Sequence, residues 1–349
     1  MKKILVLFLA ILMALSCFGV FAEEETKSFD IRALIWKYDD TYGSSVRKAM
    51  MDAVPEIESE LNVDLGGEIK MYDAADDMAK QVEQATILCG EKPDFVIINL
   101  AEVASGQQLV DMFTEAGIPF LFYNKEPSAE TVQSVVVDSG SIFIGTTPRE
   151  AGDMQGEILA EMWAADSASI DKNGDGKVQF VEFQGEPNNP EAIARTQYSE
   201  ETAIAQGVPL EPALDEYVIV ANWDSSQAQE KMQATWAAHP DIEVVFCNND
   251  DMAIGVVAAL RSVNYNTGNE GDPSIVVIGV DATDAAFQSI KDGGMTATVK
   301  QDGDAMGYAN VRIAVNYLLT GSWLEGTDYE MADDGYSVRI PYAKITEAE

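Results

Sequence analysis

Two successive runs of alternating strands and helices constrain this chain more than any single residue does. Residues 31–36 are rich in β-formers, and 45–61 place Val46, Met50, Val54, Ile57 and Leu61 at helical spacing in spite of Pro55. A strand over 68–72, a helix over 76–88, a strand over 95–98, a helix over 104–116 and a strand over 119–123 follow. Residues 95–98 are apolar throughout, as a parallel sheet covered on both faces requires. The alternation resumes past residue 150. Helices are predicted over 155–163, 190–206, 226–238 and 252–262, and strands over 178–183, 217–221, 243–246 and 275–280. Two βαβα runs predict an α/β fold of two doubly wound parallel-sheet lobes. A length of 349 residues exceeds what one core usually organises.

In doubly wound sheets a ligand binds beyond the carboxyl ends of the strands. Residues 37–42 (Lys, Tyr, Asp, Asp, Thr, Tyr) follow the first strand, Asn99 the third and Asn124 the fourth. In the second run Trp223, then Asn248, Asn249 and Asp250, then Asp281 stand at the corresponding ends. None of these turns is a glycine-rich phosphate loop, which argues against nucleotides. Carboxylates, amides and guanidinium groups are planar and bond two neighbouring hydroxyls at once, and aromatic faces cover the C–H patches of a pyranose. The set therefore suits a neutral sugar, and no arginine cluster points to a phosphate. Taken singly, each residue has a plainer reading. Asp250 would cap the helix that follows it, Asp40 would be a turn residue, and Trp223 would be core. Trp36, Trp163 and Trp236 read as packing residues. Joint placement at strand ends is what argues for a site.

Asp171, Asn173 and Asp175, followed at once by Gly176, open a calcium loop of the form D-x-N-x-D-G. Residues 177–183 then alternate as a strand and not as the second helix of an EF-hand. Glu182, the twelfth residue of the loop, stands where an EF-hand places its bidentate glutamate, but a strand would carry it away. The formal net charge of −37 makes nucleic acid and anionic membrane poor partners. His239 is the one histidine, which removes most zinc and serine-triad chemistry. Cys89 and Cys247 read as buried free thiols. Residues 1–22 read as a signal peptide, with Lys2 and Lys3 before an apolar run and a small-residue site ending at Ala22. A loose lipobox over 14–17, which would lipidate Cys17, competes with cleavage after Ala22. Either route exports the chain.

The segments IWKYDD (35–40), VIINL (96–100), NKEPS (124–128), the calcium loop, GEP (185–187) with Arg195, NWD (222–224), NND (248–250) and GVDA (279–282) together resemble the family of periplasmic D-galactose/D-glucose-binding proteins, of the type I periplasmic binding fold. The resemblance runs from about residue 30 to Tyr342. It implies an N-terminal lobe of 28–122 plus 302–335 and a C-terminal lobe of 123–301 plus 336–349, joined by a multi-strand hinge. It also implies a periplasmic receptor, expected to be monomeric, that hands a hexose to an ABC permease and in some members also to a chemoreceptor. Matching motifs make Asp40, Asn99, Arg195, Asn249 and Asp281 hydrogen-bonding partners of the sugar. Trp223 would stack on one face of the ring and Tyr42, where the family has Phe, on the other. Asn189, Glu191 and Gln301 stand where the family has His, Asp and Asn, and bear on the choice between galactose and glucose. A structural Ca2+ at loop 171–179 would be held by Asp171, Asn173, Asp175, the carbonyl of Lys177, Gln179 and Glu243. The alternative to a receptor is a glycoside hydrolase using Asp40, Glu191 and Asp281. It is disfavoured because these acids are expected among donors and not in an apolar pocket. A two-lobed DNA-binding repressor is excluded by the export signal at the N-terminus.

Overall fold

The computed structural model of the chain describes residues 26–135 and 139–345; the expected export segment over 1–22, with Cys17, lies outside them. The first sheet contains β1 (Ile31–Ile35), β2 (Lys70–Asp73), β3 (Phe95–Ile98), β4 (Phe120–Tyr123) and β5 (Ile142–Gly145). The second contains β6 (Val178–Gln184), β7 (Val218–Val220), β8 (Val244–Cys247), β9 (Val276–Asp281) and β10 (Ala297–Gln301), with a short strand, Leu210–Pro212, beside β6. Two late strands, β11 (Ser337–Arg339) and β12 (Tyr342–Ile345), extend the first and second sheet respectively. The spatial orders are β11-β5-β4-β3-β1-β2 and β7-β6-β8-β9-β10-β12. All neighbours are parallel except β12, which runs antiparallel to β10. Each sheet thus reverses its winding between its first and third strand, and that switch point opens a crevice at the carboxyl ends.

The first sheet is covered by α1 (Thr41–Leu61), α2 (Met78–Glu91), α3 (Gly106–Ala116) and α4 (Ala129–Ser134). The second carries α5 (Pro148–Asp166), α6 (Pro190–Ala205), α7 (Ser225–Ala238), α8 (Asp250–Arg261) and α9 (Asp284–Lys291). The last helix, α10 (Gly303–Thr320), returns to the first lobe and packs on α1. The two helices meet closely because residue 307 is glycine: a Cβ there would lie 2.5 Å from the Val46 carbonyl oxygen. The continuous apolar runs now have their reason. Ala33, Phe95, Ile97 and Leu121 face the cluster shared with α1 and α10, while Leu34, Val96, Ile98 and Phe122 face the opposite cluster. A strand buried on both faces has no position left for a polar side chain. Among the described residues no helix is long and apolar enough to cross a membrane.

The lobe boundaries differ from those expected. The strands Ile142–Gly145 and Ser337–Arg339 lie in the first sheet, where Leu121 pairs with Ile142 and Ser337 with Phe143. The first crossing between lobes therefore comes at 146–147 and the last at 340–341, not at 123 and 336. Ile142, Ile144 and Val338 enter the core cluster shared with α1 and α10 and Phe143 the opposite one, so core packing as well as backbone bonds holds both strands in the sheet.

Candidate functional site

Between the carboxyl ends of the two sheets lies a cavity lined by Trp36, Asp40, Asn124, Lys125, Asn189, Glu191, Arg195, Trp223, Asn249, Asp281 and Gln301. Each stands at or just past the end of a strand, or in the first turns of the helix that follows. The cavity measures about 40 Å³, space for a few water molecules, so a larger ligand enters only as the lobes part. Eight of the ten expected sugar-facing residues line it. Tyr42 and Asn99 do not. The Tyr42 ring belongs to the first lobe's core and its hydroxyl donates to Met306 Sδ at 3.4 Å. Asn99 is buried just past β3, and among the described residues its Oδ1 has no hydrogen-bond partner. Trp36, read from sequence as a packing residue, is buried in a core cluster and lines the cavity as well. Its position immediately after β1 was the signal that could have identified it, and it applied equally to Lys125 just beyond β4.

Three cavity side chains hold their places by capping helices. Asp40 accepts from Gly43 N at the start of α1, Asn189 from Glu191 N at 2.9 Å before α6, and Asn249 from Met252 N at 3.0 Å before α8. A cap spends one acceptor site on the helix and leaves others free. Asp250, expected as the cap of α8, is the first helical residue. Its carboxylate instead accepts from Thr283 N at 2.8 Å and Thr298 Oγ1 at 2.7 Å. Trp223 is seated by two features. Asn222 and Trp223 both have positive φ, 51° and 63°, a costly conformation for non-glycine residues. The indole lies over Gly185, where a Cβ would come within 2.2 Å of Trp223 Cε2.

Arg195 is buried at the centre. It donates to the Asn248 carbonyl at 2.6 Å, Gln301 Oε1 at 2.9 Å and Tyr342 Oη at 2.8 Å, with Glu191 at 3.3 Å and Asp281 at 3.9 Å. Burial works against its charge, but Tyr342, Glu191 and Asp281 keep it cationic. Burial pushes the Asp40 carboxyl up to about 6 against the opposing bond from Gly43, and pushes Asp281 well above the usual carboxylate range against Arg195. Lys125 lies 3.7 Å from the centre of the Trp36 ring and donates to Ala101 O at 3.2 Å and Glu186 Oε1 at 2.7 Å. Burial lowers its amine's pKa, and Glu186 resists. Lys125 and Glu186 belong to different lobes, as do Thr41 and Asp251, which are joined at 2.8 Å. Gln301 Nε2 also donates to Asn124 Oδ1 at 3.4 Å, so direct contacts at three places join the lobes beside the cavity.

The loop at 171–179 is folded on its own backbone. Asp171 accepts from Gly174 N at 2.7 Å and Gly176 N at 3.0 Å, Asn173 from Asp175 N at 2.8 Å, and Asp175 from Lys177 N at 2.8 Å. The Gln179 amide bonds both Asn173 at 2.9 Å and Asp175 at 3.1 Å. Glu243, just before β8, reaches over the loop and accepts from Lys172 N at 2.5 Å and Asn173 N at 3.2 Å. Asp171, Asn173, Asp175, Gln179 and Glu243 thus gather as oxygen-bearing groups, a donor set that suits a hard divalent cation. Among the described residues no three acidic, thiol or imidazole groups converge at metal-binding distance, because these carboxylates are turned to loop amides. Glu182 takes no part. It is fully buried in β6, accepts from Ser199 Oγ at 2.7 Å, and burial pushes its carboxyl well up.

A family model described as a periplasmic binding protein domain matches residues 33–322. The D-galactose/methyl-galactoside binding periplasmic protein MglB of Haemophilus influenzae is 33% identical over 317 residues, covering 90% of this chain and 88% of that protein. The ribose import binding protein RbsB of Escherichia coli is 24% identical over 254 residues, 72% of this chain and 74% of that one. Among solved structures, an ABC transporter solute binding protein from Bacillus halodurans with bound myo-inositol has a TM-score of 0.71 at 24% identity, covering 92% of this chain and 94% of that one. A periplasmic solute binding protein from Actinobacillus succinogenes with bound D-allose has a TM-score of 0.72 at 18% identity, covering 92% and 98%. These two likenesses speak to the fold.

Proposed function

The chain belongs to the periplasmic binding protein family, and from that premise we propose that it captures a hexose, D-galactose or D-glucose, between its lobes and hands it to an ABC permease. It is a periplasmic ligand-binding component of transport and not an enzyme. The observation that carries the sugar reading is how the cavity's polar groups are spent. Both buried cations are committed to protein partners, Arg195 to Asn248, Gln301 and Tyr342, and Lys125 to Ala101 and Glu186. Among the described residues, by contrast, the Asp40 carboxyl is engaged only by Gly43 N, and Asp281 only by Arg195 at 3.9 Å. What remains is acceptor capacity on Asp40 and Asp281 and the Arg195 Nε and Trp223 Nε1 donors, beside the Trp223 and Trp36 rings, which fits an uncharged ligand whose hydroxyls both donate and accept. A sugar bonded by both lobes favours the closed form through its differential contacts.

The finer assignments follow from the same reading. Calcium at the 171–179 loop would be held by Asp171, Asn173, Asp175, the Lys177 carbonyl, Gln179 and Glu243, and would stiffen the second lobe without touching the sugar. Export would follow cleavage after Ala22, with lipidation of Cys17 as the competing route. The receptor would act as a monomer, and a chemoreceptor is a second partner to test. Titration calorimetry with galactose, glucose, ribose, arabinose and myo-inositol is the deciding experiment. Dissociation constants in the micromolar range or below, about −8 kcal/mol or stronger, are expected for at least one hexose. Heat from none of the five sugars would overturn the reading.

A further inference from the structure

We infer that Tyr342 and Thr146, neither of which lines the cavity, are positioning residues that tie the ligand site to the hinge. The chain passes between the lobes at 146–147, at 302 and at 340–341. Beside or within each crossing stands one side chain of a single hydrogen-bonded circuit: Thr146 at the first, Gln301 at the second and Tyr342 at the third. Thr146 Oγ1 donates to Glu191 Oε1 at 2.7 Å. Tyr342 Oη lies 2.9 Å from Glu191 Oε2 and 2.9 Å from Thr146 Oγ1. Arg195 Nη2 donates to Tyr342 Oη at 2.8 Å and Gln301 Oε1 at 2.9 Å. Gln301 and Tyr342 are also direct partners across β10 and β12.

The protons in this circuit balance. Threonine gives its one proton to one oxygen of Glu191, the phenol gives its one proton to the other, and the phenol oxygen accepts from the guanidinium. Both carboxylate oxygens of Glu191 are thereby held by hinge hydroxyls. Glu191 borders the cavity, yet it acts on a ligand through Arg195, 3.3 Å away. Arg195 Nε is buried and without a partner, the donor left over for a ligand. Lobe opening changes backbone angles at the crossings. Gln301 and Tyr342 belong to the same sheet as each other and move with α6, whereas Thr146 follows directly on a strand of the first sheet and shifts against Glu191 as the lobes part. Opening therefore releases one oxygen of Glu191 and with it part of the hold on the guanidinium, which links alignment of the site to closure.

This inference rests on the hexose reading of the cavity, and its test separates the two. Tyr342→Phe and Thr146→Val remove one hydroxyl each and keep the volume nearly constant. Galactose and glucose affinities are measured by calorimetry well below the melting temperature, alone and in a Glu191→Gln background. Each single variant should bind about tenfold more weakly, the usual scale for a lost bond to a charged group. In the Glu191→Gln background, Tyr342→Phe should cost less than about threefold more, because the partners belong to one unit. A role confined to folding would lower the melting temperature and leave affinity within about twofold, and that result overturns the inference. So does full additivity with Glu191→Gln. Wild-type protein that binds none of the sugars removes the hexose reading and this inference together. Wild-type binding with unaltered variants removes this inference alone.

Discussion

Gly185→Ala should displace the aromatic wall of the cavity without altering any side chain that faces it. The added Cβ would lie 2.2 Å from Trp223 Cε2, 2.3 Å from Cζ2 and 2.5 Å from Cδ2. Carbon pairs are at rest near 3.5–4.0 Å, so the indole must retreat by more than about 1 Å. The backbone at 185 is not in the left-handed region, so alanine itself brings no strain there. Trp223 is packed elsewhere against the second lobe's core, and the room it finds is in the cavity. A ligand then loses its stacking face. Truncation of a buried aromatic anchor typically costs about 2 kcal/mol or more, roughly 30-fold in Kd. Calorimetry with galactose on Gly185→Ala beside Trp223→Ala is the assay, with near-ultraviolet circular dichroism reporting the indole. Both variants should weaken binding by a similar factor. If Trp223→Ala loses affinity while Gly185→Ala stays within about threefold of wild type, residue 185 does not seat the platform.

Three other perturbations follow from the geometry. Glu243→Gln should abolish most of the rise in melting temperature expected on adding calcium, whereas Glu182→Gln should keep it; the reverse outcome would locate the ion elsewhere. The Asp40 carboxyl titrates near 6 in the folded protein, chiefly through burial, against about 3.9 unfolded. Its contribution to stability is thus fully present below about pH 4 and is lost as pH rises through about 6. Asp40→Asn should flatten that part of the fall in melting temperature between pH 4 and 7 in sugar-free protein, and an unchanged slope rejects the assignment. Lys125→Ala removes a contact between lobes and strands Glu186, so stopped-flow fluorescence should record sugar dissociation about tenfold faster. An unaltered rate would mean the contact does not hold the closed form.

Much of this molecule was legible in one dimension. The apolar runs 95–98 and 243–246 announce strands covered on both faces, because no other setting tolerates so many consecutive buried side chains. The polar and aromatic residues just past such runs, Asp40, Asn124, Trp223, Asn249 and Asp281, announce a site, because carboxyl ends of parallel strands are where loops are free to bear function. The alternation in 177–183 also removes Glu182 from the loop at 171–179, since a period of two carries it into the sheet. Tertiary structure decided the rest. Tyr42 and Trp36 both stand near the end of β1 and both are packed in core clusters, yet only Trp36, beneath Lys125, also borders the cavity, while the Tyr42 hydroxyl turns to Met306. The circuit of Thr146, Glu191, Arg195, Gln301 and Tyr342 has no local motif at all. Its members meet because three separate passages of the chain converge on one hinge, and hydrogen bonding acts on distance in space and not on separation along the chain.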